Sequence, residues 1–313
     1  MAACLAGLIL AACGPMNRPE APRVAARDVS FQSAGYRLEG TVTSPERGPA
    51  RAGVLIIGGS GPIDRDGISR VTSAPAVYRW WAEGLGAAGF AVLRYDKRFL
   101  THPSIDIAAF DQEAQIADAL AALAFLRSAP EVAGRGVFVI GHSEGGTLAP
   151  IVALRAGQSA GVAVINTIVF PVDELLIAQL EANPSVPQAA VADIRTQLER
   201  IKAGSFPPSG LLLGAGASYW KQWIEYSASA PTRLAELSAP LLVVQCLSDQ
   251  TLPGATLARN LALLRAAVAR NSSAELRELP AHDHFAMRQG EREASPELMD
   301  TLIGWLRRVG PKV

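Results

Sequence analysis

The sequence predicts a doubly wound, mostly parallel α/β sheet that carries a helical cap. Three observations lead there. Short apolar runs without polar alternation recur at 54–57 (VLII), 91–93 (AVL), 137–140 (VFVI), 162–165 (VAVI) and 241–244 (LLVV). Strands buried on both faces of a parallel sheet read this way. Helical patterns fill the gaps between these runs, and strand–helix alternation is the signature of a doubly wound domain. One long stretch, between Val169 and Leu241, breaks the alternation with helical pattern and loop alone.

Taken in order, residues 29–32 and 36–43 predict an antiparallel hairpin ahead of the parallel strands. Helices are expected at 74–88, 107–127, 145–156 and 254–269. Residues 276–279 are a last strand. The closing helix spans 296–309, with Ser295 as N-cap and Pro296 at the first helical position. The interrupting segment has a helical pattern over 173–203, a loop AGSFPPSGLLLGAGAS, and a second helical stretch with Tyr219, Trp220, Trp223 and Tyr226. It predicts a cap at about 172–236 over the carboxyl ends of the strands, where open α/β sheets bind ligands. The folded domain is set at 27–313.

Composition narrows the function. The 313 residues are 49% hydrophobic and 19% charged, enough for a large core. Net charge is zero, so no basic field exists to gather nucleic acid. Cys4 and Cys13 lie in an apolar leader, 1–13, and a Pro-rich polar stretch, 14–26, reads as a tether. Leu10-Ala11-Ala12-Cys13-Gly14 resembles a bacterial lipobox, although no Lys or Arg precedes the apolar run. The resemblance implies a lipoprotein of the cell envelope, periplasmic or outer-surface, held to the membrane only by lipid at Cys13. Cys246 would then be the one thiol left, with no internal disulfide. No apolar run elsewhere reaches the ~18 residues of a membrane span.

The chemistry centres on VFVIGHSEGGTLAP. A serine at a sharp strand-to-helix turn is lifted clear of the sheet, and small residues two before and two after let the backbone pass closely. Ser143, flanked by Gly141 and Gly145, fits a nucleophile elbow. The amide of Glu144 opens the following helix and can stabilise an oxyanion. Only four histidines could serve as base. His142 adjoins the serine and should point away from it. His102 precedes it, whereas acid and base follow the serine in this arrangement. His282 and His284 remain, in the loop after the last strand; His284 is preferred. Asp249, in the turn after 241–244, is the expected acid that orients the imidazole, with Asp173 and Asp283 behind it. The glycine-rich loop after 54–57 lacks both GxGxxG and GK[ST], so it is not a nucleotide cradle. Its Ser60 amide is the expected second oxyanion donor, ahead of Gly59 and Gly61. Trp220 and Trp223 either wall the substrate pocket or join cap to sheet, as do Tyr219 and Tyr226. No metal-ligand spacing occurs, and neither metal nor cofactor is expected.

Three stretches carry a family resemblance: Gly58-Gly-Ser-Gly-Pro-Ile-Asp-Arg-Asp66, Leu93-Arg-Tyr-Asp-Lys-Arg98 and Gly141-His-Ser-Glu-Gly-Gly146. With them the chain after the tether resembles α/β-hydrolases, in particular bacterial esterases related to the dienelactone-hydrolase and prolyl-oligopeptidase-like groups. Asp283-His284-Phe285 matches the family's closing histidine pattern, which again favours His284. Two departures stand out. Phe99 replaces an expected glycine, and Gln245-Cys246 stands where many relatives have His-Gly. Cys246 is read as a small buried residue. The Asp64-Arg65-Asp66 and Asp96-Lys97-Arg98 groups are read as ion pairs that fix the oxyanion loop. The resemblance implies a serine hydrolase, a carboxylesterase on small to medium acyl esters. Thioester or small-peptide amide cleavage is the alternative. A non-catalytic envelope-binding protein is disfavoured, because binding alone has no use for a triad with an oxyanion loop.

Overall fold

The computed structural model describes residues 23–69, 75–132, 134–157 and 159–310. The leader, Cys13 and residues 14–22 lie outside them. A hairpin comes first, β1 (Val24–Ser33) and β2 (Tyr36–Pro45). Then follow β3 (Gly53–Ile57), α1 (Val77–Ala87), β4 (Ala91–Tyr95), the single turn α2 (Arg98–Thr101), α3 (Gln112–Ser128), β5 (Val137–His142), α4 (Glu144–Ala156) and β6 (Gly161–Ile165). The cap contains α5 (Val172–Ala182), α6 (Gln188–Lys202), β7 (Leu211–Leu212), β8 (Ala215–Gly216), α7 (Ala217–Ala228) and α8 (Ala230–Glu236). The chain returns to the sheet with β9 (Leu241–Cys246), α9 (Thr256–Ala269), β10 (Ala274–Leu279) and α10 (Pro296–Val309).

The sheet has eight strands in the order β1-β2-β4-β3-β5-β6-β9-β10, and only β2 runs antiparallel to its neighbours. From β3 the chain moves to one side for β4 and to the other for β5. Strand order therefore reverses between β3 and β5, and the loops after these two strands open a crevice. Successive strand residues feed opposite layers. Leu55 and Ile57 pack with α3 and α4, while Val54 and Ile56 pack with α1 and α10. Both faces are covered, which is why the strands read as unbroken apolar runs. A third core, with Trp220 and Trp223, belongs to the cap. No helix among the described residues is long and apolar enough to cross a membrane.

Several boundaries differ from expectation. β1 begins at Val24, inside the stretch assigned to the tether, because β2 runs on to Pro45 and pairs with it. Residues 25–28 expose their side chains, so no apolar face marked them as strand. The pattern over 173–203 is two helices. Pro184 disfavours helical backbone at Asn183, which is extended (ψ 107°), and Pro187 precedes α6. Residues 107–110 are turn, and α3 starts only where Asp111 accepts the Ala114 amide, at 3.0 Å. Ser295 occupies the N-cap position of α10, but its hydroxyl meets His282 Nε2 at 2.8 Å and does not cap.

Candidate active site

Ser143 stands between β5 and α4 with φ 55° and ψ −120°, a conformation costly for a residue with a Cβ. The glycines around it have no substitute. A Cβ on Gly141 would overlap the Gly145 carbonyl, and one on Gly145 would overlap the carbonyls of Ile57 and Gly58. One on Gly146 would come within 2.6 Å of the Thr167 Cβ. The Ser143 side chain makes no capping bond to α4, which leaves its hydroxyl to the crevice.

Asp249 and His284 meet from the loops after β9 and β10. His284 Nδ1 lies 2.9 Å from Asp249 Oδ2. The Thr251 hydroxyl donates to Asp249 Oδ1 at 2.7 Å, and the Thr251 amide donates to the same oxygen at 2.9 Å. With the hydroxyl proton so committed, its oxygen, 3.1 Å from Nδ1, can only accept. Both neighbours of Nδ1 therefore want a proton there, and the lone pair of the ring sits on Nε2. Burial pushes the Asp249 carboxyl up, but the bonds from His284 and Thr251 hold it below the ordinary aspartate range. Ser143 and His284 line one cavity of about 220 Å³, along with Ser60, Asn166, Trp220 and Trp223. No hydrogen bond joins Ser143 Oγ to His284 Nε2 here; in a free enzyme such bonds often close only around substrate.

The competing candidates have other partners. His282 is fully buried, with Nδ1 donating to the Pro280 carbonyl at 2.7 Å and Nε2 on Ser295. Asp173 pairs with Lys202 at 3.0 Å within the cap, and Asp283 Oδ1 accepts the Phe285 and Met287 amides of its own loop. His102 donates to the Arg37 carbonyl at 2.8 Å.

His142 joins two loops of the site. The Gly59 amide donates to Tyr78 Oη (2.8 Å), Tyr78 donates to His142 Nδ1 (2.9 Å), and His142 Nε2 donates to the His284 carbonyl (2.8 Å). The carbonyl can only accept, so one direction of donation runs through the chain. It requires a neutral His142, and burial, reinforced by the nearby His284 ring, pushes the imidazole down to about 3. Since the Gly59 amide is committed to Tyr78, the glycine-rich loop after β3 leaves Ser60 and Gly61 as its candidate oxyanion donors. Ser60 lines the cavity that holds Ser143, whereas Gly61 does not. Asn166, at φ 50° after β6, also donates to the His284 carbonyl, at 2.8 Å.

Glu144 was singled out for its amide, yet its carboxylate is a fully buried hub. Lys97 Nζ (3.1 Å), Gln112 (2.7 Å), Gln115 (3.1 Å) and the Tyr219 hydroxyl (2.5 Å) all donate to it. Burial pushes its carboxyl up; Lys97 foremost, with Tyr219 and the two glutamines, brings it below the ordinary glutamate range. Lys97 thus leaves the ion-pair group expected around the oxyanion loop, and Arg98 leaves it for Asp118. Of the expected pairs Arg65 with Asp96 (2.7 Å) remains, and Asp66 pairs instead with Arg94 on β4. Trp220 and Trp223 stack at 5.8 Å between centroids, and they are cap core and cavity wall at once. Tyr226 turns away to Glu113. Burial pushes the Cys246 thiol up to about 12. Tyr78, Thr251 and Asn166 carried no recognisable signal in the sequence. Among the described residues no His/Cys/Asp/Glu group could hold a metal.

The fold is shared with known proteins. Among solved structures, a soluble variant of monoglyceride lipase from Saccharomyces cerevisiae superposes with TM-score 0.61 at 16% identity, over 94% of this chain and 98% of its own. The esterase domain of a Rhodothermus marinus protein gives 0.59 at 19%, over 91% and 100%. Dienelactone hydrolase from Anabaena variabilis gives 0.55 at 18%, over 92% and 99%. At such identities the likeness is one of fold. In sequence, Esterase EstD of Thermotoga maritima is 31% identical over 208 residues, 66% of this chain. The chain spans about half the length of that relative, 48%. The profile described as Alpha/beta hydrolase family matches residues 54–295, most of the sheet, the elbow and the whole cap. The chain belongs to the alpha/beta hydrolase family.

Proposed function

We propose that the protein is a serine carboxylesterase that works through an acyl-enzyme on Ser143. One observation carries the reading: His284 is held on Asp249 with its lone pair on Nε2, in the cavity that also contains the strained Ser143. His284 Nε2 takes the Ser143 proton as Oγ attacks the ester carbonyl. The amides of Ser60 and Glu144 stabilise the oxyanion. The imidazolium returns its proton to the leaving alkoxide, and water repeats the sequence to release the acid. This cycle needs no metal or cofactor. The name of the Thermotoga maritima relative favours esters over amides and thioesters.

A fluorophosphonate probe with peptide mapping tests the mechanism. Ser143 is expected to take the label, and Ser143→Ala and His284→Ala to abolish it. Folded wild-type protein that takes no label would refute the reading. The lipobox-like residues around Cys13 support a lipid anchor in the cell envelope; incorporation of labelled palmitate that survives Cys13→Ala would exclude it.

A further inference from the structure

The cavity around Ser143 and His284 has a larger neighbour, about 470 Å³ against about 220 Å³. Ser60, Trp220 and Trp223 line both, so the two cavities share a wall. Phe99, Ile107, Phe110 and Ala215 make much of the rest of the larger one. Its polar lining includes Lys97, Gln115 and Tyr219, and all three are engaged by the Glu144 carboxylate. It presents no unpaired charge to a ligand. His284 and Thr251 line the smaller cavity only.

We infer that the larger cavity takes the acyl chain and the smaller one the alcohol, so that the substrates are esters of uncharged medium-length acyl chains with small alcohols. The inference rests on the esterase chemistry proposed above. Four bonds leave the tetrahedral carbon: to Ser143 Oγ, to the oxyanion, to the leaving oxygen and to the acyl chain. The oxyanion faces the Ser60 and Glu144 amides. The leaving oxygen must face His284 Nε2, which supplies its proton. That places the alcohol in the cavity His284 lines. That leaves for the acyl chain the larger space, which shares the wall at Ser60, Trp220 and Trp223 and which His284 does not line.

Volume sets the lengths. An apolar cavity of ~150 Å³ accepts a six-carbon ring, or roughly 25 Å³ per carbon. On that scale the larger cavity has room for about nineteen carbons, ample for an acyl chain of about eight to twelve, and the smaller for about nine, an alcohol of about six carbons beside the reacting carboxyl. Phe99 is part of this reading. Its ring packs on Phe110 at 5.3 Å between centroids as part of the acyl wall.

The test uses wild type, Ala215→Phe, which fills the larger cavity, and Leu176→Trp, which fills the smaller. Each is assayed on p-nitrophenyl esters from acetyl to dodecanoyl, and on acetates from methyl to cyclohexyl. For wild type, kcat/KM is expected to rise about two- to fourfold per methylene as far as octanoyl or decanoyl. Ala215→Phe should lower the decanoyl-to-acetyl ratio at least tenfold and leave the cyclohexyl-to-methyl ratio within threefold. Leu176→Trp should do the reverse. Labelling of Ser143 by a small fluorophosphonate verifies that each variant is folded, and Ile107→Trp replaces Ala215→Phe if that variant does not label. A flat wild-type chain-length profile overturns the inference. So does a cavity-filling variant that changes both ratios alike or the opposite one. Wild type that neither labels nor cleaves any ester refutes the esterase reading first and this inference with it.

Discussion

Replacing Tyr78 by Phe removes one oxygen from the site and isolates the chain from Gly59 to His284. The ring keeps its edge-on contacts with Trp81 and His142, at 5.6 and 5.7 Å between centroids. What goes is the acceptor of the Gly59 amide and the donor to His142 Nδ1, both buried. An unsatisfied buried polar group costs about 1–3 kcal/mol, so two cost about 2–4 kcal/mol once the loop relaxes. At about 2–4 °C per kcal/mol, Tm should fall by about 4–16 °C. Activity should fall too, because the Gly59 bond holds the backbone that aims the Ser60 amide. Loss of one oxyanion donor removes about 2.7–4 kcal/mol of transition-state stabilisation, and a displaced donor retains part of that. We expect kcat to drop about ten- to a hundredfold with KM within threefold, since the donor acts mainly on the transition state. Thermal melts and initial rates on a p-nitrophenyl ester measure both quantities. A variant with lowered Tm and full kcat would show that the chain only stabilises the fold. Unchanged values of both would refute the hydrogen-bond assignment itself.

Three further outcomes follow from the geometry. Asp249→Asn places an N–H or a neutral carbonyl against His284 Nδ1, so the Nδ1–H tautomer loses its charged partner; kcat should fall about 10³–10⁴-fold in initial-rate assays, and a loss under tenfold would remove Asp249 from the mechanism. His142 is neutral in the fold, down at about 3, and ordinary when unfolded, so between these values the unfolded state binds the extra proton and stability falls with falling pH. Each pH unit below about 6.5 should cost about 1.4 kcal/mol from this group, and chemical denaturation at pH 7 and pH 5 should show a smaller difference for His142→Gln than for wild type. Tyr219→Phe removes the hydroxyl that ties α7 to Glu144; a loss of about 1.5–3 kcal/mol and faster hydrogen exchange in α7 are expected, and unchanged exchange there would deny the tie any role in holding the cap.

The parts of this site that could be read from the sequence are those dictated by their immediate neighbours. Gly141 and Gly145 are required by backbone contacts inside one strand–turn–helix unit, so the elbow is visible as a string of letters. Asp249 and His284 each follow a strand by a few residues; order along the chain narrows the candidate base to His282 and His284, and the family resemblance of Asp283-His284-Phe285 favours the second. Tyr78, Asn166 and Thr251 could not be found this way. Their roles depend on contacts across 64, 118 and 33 residues, and nothing in α1 or in the loops after β6 and β9 distinguishes them from ordinary polar residues. The same limit hides the side-chain roles of His142 and Glu144. As neighbours of Ser143 they read as a ring turned away from it and as an amide donor. In three dimensions their side chains leave the elbow toward different partners, His142 to the carbonyl of His284 and Glu144 to Lys97, α3 and the cap. A serine held at φ 55° needs its surroundings to enforce that backbone. Buried, hydrogen-bonded side chains on both adjacent residues do so, and they also couple the position of Ser143 to the loop of His284 and to the cap over the cavity. Substitutions at His142 or Glu144 should therefore disturb catalysis through geometry although neither side chain is assigned a step in the reaction.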